Sequence, residues 1–440
     1  MKRVKFRFTD KNSLKPVRHL LAAAPESVSK DFSLMRQEPP MNDLDEVIML
    51  LHTAAEVEHA LLVQYLYAGY SLNDAGLDQQ ARVMIEIARE EMAHLMAIQN
   101  ILVILGGPLN FEREDNTFND FYPFSFELEP LSVKTLAKYV LAEMPREELI
   151  PTGMGVNIKE LKQDAGISEE GTINRVGALY TLLIDLVSSL PDLYFLQATT
   201  NRQASADDWS ASTFNLVLRS VNNKQEVIQL LNDIAEQGEG YEQPSPGGTK
   251  SHFQRFFEVY SSIKALPGEA LELPVPTNPS TRNEQGEGYI TNEEARLWCH
   301  LFNHRYRVLL AQFCHYFYQD GSAQPGKKRK LRLKNWSFEE MRFCLKKISG
   351  IILSLPQHSP PQEINGKIRK AGPPFELPYN LQLPHNEKDC WKYHRLLIQY
   401  SNELISQLQA ISPTNNLLQE IQNYDRDRLV FVEEQINTSN

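Results

Sequence analysis

Three residues before position 100 have the types and the spacing of a metal site. Glu91 and His94 stand three positions apart in IEIAREEMAHL, so on a helix their side chains share one face, one turn apart. Glu58 lies in an earlier apolar stripe, LHTAAEVEHALLVQY. A carboxylate buried there must be protonated, ion-paired or bound to a metal. Because neither face carries Arg or Lys, the pattern favours a metal, and carboxylate and imidazole ligands suit iron or manganese.

The elements that must position these residues are long helices. Apolar residues recur at i, i+3, i+4 and i+7 along most of the chain, and almost no segment alternates as a strand does. Residues 42–69 and 78–105 predict two helices of about 27 residues each, joined by a short loop, which is typical of an antiparallel hairpin in a bundle. Further helices are predicted over residues 133–143, 172–190, 225–236, 251–265, 292–319, 337–355, 388–411 and 416–437.

The predicted organisation has four parts. Residues 1–40 form an N-terminal arm, and residues 41–265 form the metal-binding bundle. A linker rich in proline and glycine follows over residues 266–288, and residues 289–437 form a C-terminal helical layer packed on the bundle. Within that layer, the proline-rich segment 357–384 is predicted to be an extended arm on the surface.

The motifs together resemble the ferritin-like domain proteins related to the iminophenyl-pyruvate dimer synthases of violacein and rebeccamycin pathways. The resemblance spans roughly residues 44–384 and rests on EVEHALLVQYLYAGYS, EEMAHL, an EQGEG turn followed by SHFQRF, and KAGPPFELP. It implies an all-α fold built on a ferritin-like four-helix bundle with a metal centre. By the same resemblance, Glu58, Glu91 and His94 are metal ligands, and Glu239 and His252 are the acid and the histidine of the second half.

One feature departs from a symmetric di-iron bundle, which would place another glutamate on the third helix. The predicted third helix, residues 172–190, offers only Asp185. A mononuclear site and an asymmetric pair of metals therefore both remain open.

Three further side chains are candidates for catalysis. Tyr65 and Tyr180 lie on apolar faces, where each either packs in the core or lines a substrate pocket. Arg255 follows His252 by three residues and is placed to pair with a carboxylate substrate or with an acidic ligand. Glu90 is predicted to face solvent or a neighbouring helix.

Two other patterns could indicate a second metal site and an internal sequence duplication. His300 and His304 form His-x-x-x-His on one helix face, a spacing that can hold a second metal, although such pairs also arise by chance. EQGEGY occurs at residues 236–241 and 284–289, each time with a histidine thirteen residues after its second glutamate. Because the sequences after the two copies diverge at once, chance is favoured over duplication.

Composition excludes several classes of protein. The 440 residues allow two or three domains or one enlarged domain. A net charge of −11 disfavours a nucleic-acid partner, since neutralising phosphates requires a basic surface. The four cysteines include no Cys-x-x-Cys pair, which favours a reducing cytoplasm over a disulfide framework. No apolar run is long enough to span a membrane, and the basic run at residues 327–334 is predicted to be a solvated loop.

The function that the resemblance implies is a non-haem iron oxidoreductase of secondary metabolism, acting on an amino-acid-derived small molecule. Residues 121–126 of an aromatic loop would exclude water from its site. Two alternatives stay open: a metal-dependent condensing or tailoring enzyme without redox change, and a structural protein that holds a metal without turnover. A homodimer is the default expectation for an enzyme of this size.

Overall fold

The computed structural model describes residues 41–72, 75–113, 123–151, 153–168, 175–239, 250–266, 273–377, 381–412 and 415–438. Over these residues the predicted all-α fold is confirmed, and the strands they contain, Glu363–Ile364 and Lys367–Ile368, form one small hairpin. The helices are α1 (Asp43–Ser71), α2 (Asp78–Ile104), α3 (Val133–Ala142), α4 (Ile158–Asp164), α5 (Val176–Ser189), α6 (Ala211–Phe214), α7 (Lys224–Glu239), α8 (His252–Lys264), α9 (Glu293–Tyr318), α10 (Gly326–Glu339), α11 (Lys346–Ser354), α12 (Glu387–Ile411) and α13 (Asn416–Thr438). None of the described helices is long and apolar enough to cross a membrane.

The chain folds into two compact units. The first unit comprises the described residues of Met1–Leu62, Arg89–Phe126 and Ser132–Ala270, and the second comprises those of Val63–Ala88, Glu127–Leu131 and Leu271–Asn440. Helices α1 and α2 therefore each contribute residues to both units. The change from the first unit to the second at Ala270 falls inside the predicted linker.

Helices α1 and α2 run antiparallel, as their spacing predicts. In the second unit, a Cβ on Gly69 of α1 would lie 3.1 Å from Met84 of α2, so the two backbones approach closely there. In the first unit, Glu58 of α1 lies beside His94 of α2, with 3.4 Å between Oε2 and Nδ1. Residues later in α1 therefore face residues earlier in α2, as expected for an antiparallel pair. The hairpin brings an acid of α1 to the Glu-x-x-His face of α2.

In the first unit, α3 packs against α8 and α5 packs against α7. Local sequence determines where two of these helices begin. The Ser132 hydroxyl accepts a hydrogen bond from the Thr135 amide at the start of α3. At the start of α8, Ser251 and Gln254 form a capping box, in which each side chain bonds the backbone of the other residue. These hydrogen bonds determine the residue at which α3 begins and the residue at which α8 begins.

The second unit is organised around α9, which packs against α10 and α12, while α13 packs on α12. Its interior contains a buried charge network centred on Arg305 of α9. The Arg305 guanidinium binds Glu340 and Asp425, and Glu340 also binds Arg428. Glu340 begins a π-helical segment, Glu340–Leu345, between α10 and α11. Two cations and two anions thus balance in the core of this unit.

The basic run is helical, contrary to the predicted loop. Residues 327–334 form the first turns of α10, because no helix-breaking residue follows Gly326 and because Leu333 and Trp336 provide a buried face. The ammonium group of Lys330 is itself buried over the ring of Tyr316, 4.4 Å from its centroid. Pro325 and Gly326, which precede the basic run, mark only the start of α10.

The expectation of a surface arm is corrected, whereas the structure agrees with the expectation that the EQGEGY repeat arose by chance. Within the proline-rich segment, residues 371–375 are buried rather than laid on the surface. The described parts of the two EQGEGY copies differ in structure, because Glu239 is buried at the end of α7 whereas Glu287 is exposed in a turn. The repeat therefore does not reflect a duplicated structural element.

Candidate metal centre

Glu58, Glu91 and His94 form a buried cluster in the first unit. The His94 Nδ1 atom lies 3.0 Å from Glu91 Oε2 and 3.4 Å from Glu58 Oε2. Each of the three side chains is at most 2% exposed. Their ligand atoms all lie within 4.8 Å of one another, which is close enough for one metal ion to bind all three.

A second cluster shares Glu91 with the first. His252, the first residue of α8, directs Nδ1 toward Glu91 Oε1 at 2.9 Å and toward Glu143 Oε2 at 3.9 Å. Glu143 caps the C-terminus of α3. The His252 and His94 rings are stacked with 5.5 Å between centroids. Among the residues that the structure describes, these two sets are the groups of three or more that could hold a metal, and Glu91 lies between them.

Glu239 lines the same small cavity from the last position of α7. Its Oε1 atom accepts a hydrogen bond of 2.8 Å from the backbone amide of Gly177. A Cβ at position 177 would lie 2.1 Å from Glu239 Oε2, so only glycine leaves room for this carboxylate. The sequence at the start of α5 therefore makes space for a fourth acid.

The donor atoms of this cavity fit a metal. Glu58 Oε2, Glu91 Oε1, Glu239 Oε2 and His252 Nδ1 are all buried and make no hydrogen bond of good geometry, although His252 Nδ1 lies close to Glu91 Oε1 and Glu58 Oε2 lies close to His94 Nδ1. Buried polar atoms are rarely left in this state, because each one costs its desolvation free energy. Four such atoms facing one cavity form a donor set that a cation would satisfy.

The acids are too crowded to be ionised together without a cation. Burial, followed by the charge of Glu91, raises the pKa of Glu58 to about 7. Burial also raises the pKa of Glu239 to about 8. Burial alone would lower the pKa of His252, but the charge of Glu91 and the hydrogen bond with Glu90 raise it to about 9. Protons thus balance these carboxylates where no cation does.

The outer nitrogen of each imidazole is held by a different acceptor. His94 Nε2 lies 2.9 Å from Gln237 Oε1, and His252 Nε2 lies 2.8 Å from Glu90 Oε2. Each contact leaves the Nδ1 atom facing the cavity. Such outer hydrogen bonds orient the histidine ligands of metal sites.

The predicted catalytic residues lie in three different settings. The Tyr180 hydroxyl donates to Glu58 Oε1 and lines the cavity. Arg255 binds Glu90 rather than a residue of the cavity wall. Tyr65 is buried on α1 in the part of that helix that belongs to the second unit, so its role stays a prediction.

The structure places two acids that the sequence left open. Asp185 is exposed on α5 and does not line the cavity, so it is not the missing acid of the bundle. Glu90 is 5% exposed and contacts His252 of α8, so of the two expected settings, solvent or a neighbouring helix, the structure shows the second. The reason is that α8 begins against this side of α2, where its first residue covers Glu90.

Sequence reasoning missed Glu143, which supplies the acid that Asp185 does not. A signal for it exists, since Leu136, Val140 and Glu143 recur at i, i+4 and i+7 on the buried face of α3. The predicted helix over residues 133–143 includes Glu143 as its last residue, where the apolar stripe ends.

The His-x-x-x-His pair is not a metal site in the described residues. His304 Nε2 lies 2.7 Å from the carbonyl oxygen of Leu397, and His300 is half-buried elsewhere on α9. Neither histidine belongs to a group of three possible ligands.

An aromatic cluster in the first unit includes part of the expected water-excluding loop. The Phe124 ring lies 5.9 Å from that of Tyr139, which lies 5.5 Å from Phe256 of α8. Phe126 stacks with the Arg113 guanidinium. The part of the loop before residue 123, including Phe121, lies outside the described residues.

The fold and the site define a class: helical-bundle proteins in which buried carboxylates and histidines from several helices converge on one centre. Residues 51–261 match the family model described as Ferritin-like. The predicted resemblance is thereby confirmed for the bundle.

Two curated relatives extend the likeness over most of the chain. The 2-imino-3-(indol-3-yl)propanoate dimerase of Chromobacterium violaceum is 26% identical over 417 residues, covering 82% of this chain and 36% of the relative. The dichlorochromopyrrolate synthase of Lentzea aerocolonigenes is 24% identical over 403 residues, covering 78% of this chain and 37% of the relative. The chain therefore spans little more than a third of the length of either enzyme. No solved structure matches the chain significantly.

Proposed function

We propose that this chain is a non-haem iron oxidoreductase that holds two metal ions and acts on an amino-acid-derived small molecule. The observation that carries the proposal is the pair of buried acid–histidine sets that share Glu91. One position uses Glu58, Glu91 and His94, and the other uses Glu91, Glu143 and His252. Glu239 supplies a further carboxylate to the same cavity.

Charge and ligand type support iron in both positions. Four carboxylates carry the charge that neutralises two divalent cations, so the filled centre is balanced without protons. Oxygen and imidazole donors without thiolates suit iron or manganese rather than structural zinc. Iron, when bound, supplies redox chemistry with an oxidant of the dioxygen or peroxide class.

The residues around the centre hold it in place and keep it dry. The Tyr180 hydroxyl fixes Glu58 by donating to Oε1, which leaves Oε2 directed at the cavity. The Gly177 amide fixes Glu239 in the same way. Because Val176 and Ile234 complete the apolar part of the wall, bulk water is kept away from the reacting groups.

The names of the two relatives suggest the class of substrate. One is named for the dimerisation of a 2-imino acid. We propose that this chain also acts on a 2-imino acid or a related aromatic acid. Joining two such molecules by a carbon–carbon bond removes two hydrogen atoms, and the two electrons pass to the oxidant. The proposed reaction is therefore an oxidation, and oxygen is consumed when dioxygen is the oxidant.

The test measures oxygen uptake and product mass together. Iron-loaded full-length chain is given phenylpyruvate or indolepyruvate with ammonium, which form the imines without consuming oxygen. We expect a product of twice the imine mass less two hydrogens, formed with oxygen uptake, and loss of both with Glu91→Ala. Glu258→Ala, which removes an exposed acid of α8, is the matched control and keeps both.

Other outcomes separate the alternatives. A product of twice the imine mass that has lost no hydrogen, formed without oxygen uptake, would favour a metal-dependent condensing enzyme without redox change. Bound iron with neither product nor uptake, across a panel of aromatic 2-imino acids, would favour a metal-binding protein without turnover. Either result would overturn the proposed oxidation.

A further inference from the structure

The two histidines of the candidate centre differ in what holds them. At His94, the outer Nε2 atom bonds the amide oxygen of Gln237. The Gln237 amide nitrogen in turn donates to the backbone oxygen of Asn215 at 2.9 Å, which fixes its oxygen toward the imidazole. The support of His94 is therefore a neutral amide.

At His252, the outer Nε2 atom bonds a carboxylate instead. Glu90 Oε2 accepts this hydrogen bond at 2.8 Å. The same carboxylate is paired with Arg255, whose Nη1 lies 3.2 Å from Glu90 Oε1 and whose Nη2 binds Oε2. Since the guanidinium stays charged, Glu90 is held as an anion beside the ring. The support of His252 is therefore a negative charge.

An imidazole that donates to an anion is a stronger ligand than one that donates to an amide, because the anion stabilises positive charge developing on the ring. A second contact acts in the same direction by weakening the His94 position. The Tyr180 hydroxyl donates to Glu58 and withdraws charge from a ligand of the His94 position.

We propose that Glu90 is a positioning residue that makes the two metal positions unequal, so that the position of Glu91, Glu143 and His252 binds a divalent metal more tightly and fills first. This inference rests on the proposed two-metal centre. Glu90 acts through His252 and touches no metal itself. Arg255 keeps Glu90 anionic and compensates its charge, which makes a buried acid tolerable at this place.

The test is an equilibrium titration of the metal-free full-length chain with Co²⁺ alone, followed by visible absorption, which reports each coordination step. We expect two steps whose affinities differ at least tenfold. His252→Ala should remove the tight step, and His94→Ala should remove the weak step. The reverse assignment, or two equal steps in the wild type, would overturn the proposal.

The role of Glu90 is tested by a pair of variants. In Glu90→Gln with Arg255→Gln, an amide replaces the anion while the net charge of the pair is unchanged, and the support of His252 becomes like that of His94. We expect the tight step to weaken about 10- to 100-fold and the weak step to stay. In Arg255→Gln alone, the anion remains, so the tight step should persist.

The possible results distinguish a failure of the role of Glu90 from a failure of the proposed two-metal centre. Wild-type chain that binds no Co²⁺ or Fe²⁺ would refute the metal centre itself. Two unequal steps that the double variant leaves unchanged would keep the centre and refute the role of Glu90. If the double variant fails to fold by circular dichroism, the single-histidine titrations still decide which position is tight.

Discussion

Gly177 shows how strongly a single residue without a side chain constrains this site. Its amide donates a hydrogen bond to Glu239 Oε1, and a methyl group added to its Cα would collide with Glu239 Oε2. Glycine in a helix ordinarily costs roughly 0.5–1 kcal/mol relative to alanine. Retaining it at this position keeps a carboxylate in the cavity at a cost in helix stability.

We expect Gly177→Ala to displace Glu239 and lower the metal content of the centre, because the new Cβ would lie 2.1 Å from Oε2. The measurement is the Co²⁺ titration of the metal-free protein. Gly350→Ala in α11 is the control, since no atom lies within 4 Å of the added Cβ. It should stabilise the chain by roughly 0.5–1 kcal/mol and leave binding unchanged. Equal metal binding by both variants would contradict this role of Gly177.

At the same scale, the sequence revealed part of the site and concealed the rest. Glu58, Glu91 and His94 could be found because their own helices carry clear apolar stripes. Glu143 has the same signal but stands at the very end of its helix. The contact of Glu90 with His252 spans 162 positions and depends on tertiary packing that no local pattern encodes.

The start of α8 is the element that brings His252 to the centre. The capping box of Ser251 and Gln254 satisfies amides that the first helical turn leaves without partners. His252 follows the cap directly, so its position depends on that turn being formed. The residue at which α8 begins therefore also determines where the His252 imidazole lies.

We expect Ser251→Ala to destabilise the first turn of α8 by about 1 kcal/mol, the usual cost of losing an N-cap hydroxyl. Hydrogen exchange of the α8 amides measures this as exchange about fivefold faster. Ser261→Ala, at an exposed serine that bonds the Phe257 carbonyl of the same helix, should change exchange by less than about twofold. Similar effects of the two variants would argue against the capping role.

Most helices were predictable at the element scale because their ends carry local signals. The predicted ranges 251–265 and 416–437 lie within one residue of α8 and α13 at each end. The failure at α10 has a physical cause, since a dense cationic run suggests solvation. In the structure, Leu333 and Trp336 bury one face of that run, and Lys330 finds an aromatic ring. Tertiary packing overrode the charge pattern.

At the scale of the whole molecule, the second unit depends on buried charges as well as on apolar packing. The Arg305 network joins residues of α9, the π-helical segment and α13, and its side chains are at most 3% exposed. Removing one member leaves an uncompensated buried charge, which is far more costly than the intact network.

We therefore expect Arg305→Met to destabilise the second unit by roughly 3–5 kcal/mol, measured as a lower midpoint of urea unfolding. Lys347→Met is the matched control, because it removes a half-exposed pair with Glu420 and should cost less than about 1 kcal/mol. A small loss from Arg305→Met would mean that the network is not a source of stability.

Stability should also depend on pH through His304. Burial, followed by the charge of Arg305, lowers the pKa of His304 from 6.5 to about 3, with Glu340 and Arg307 also nearby. Between these values the unfolded chain binds the proton more readily, so the contribution is complete above pH 6.5 and is lost as the pH falls toward 3. The slope reaches about 1.4 kcal/mol per pH unit.

His304→Gln keeps a donor for the Leu397 carbonyl and removes this titration. We expect its urea midpoint to fall less steeply than that of the wild type between neutral and mildly acidic pH. Parallel slopes for the two proteins would contradict the assignment to His304.

The most direct test of the account is the iron content of anaerobically loaded chain, measured by elemental analysis beside Glu91→Ala and the exposed control Glu258→Ala. Since Glu91 serves both positions, we predict two irons per chain in the wild type and in the control, and at most one weakly held iron in Glu91→Ala. Wild-type chain without specific iron, or Glu91→Ala that still holds two, would contradict the shared two-metal centre.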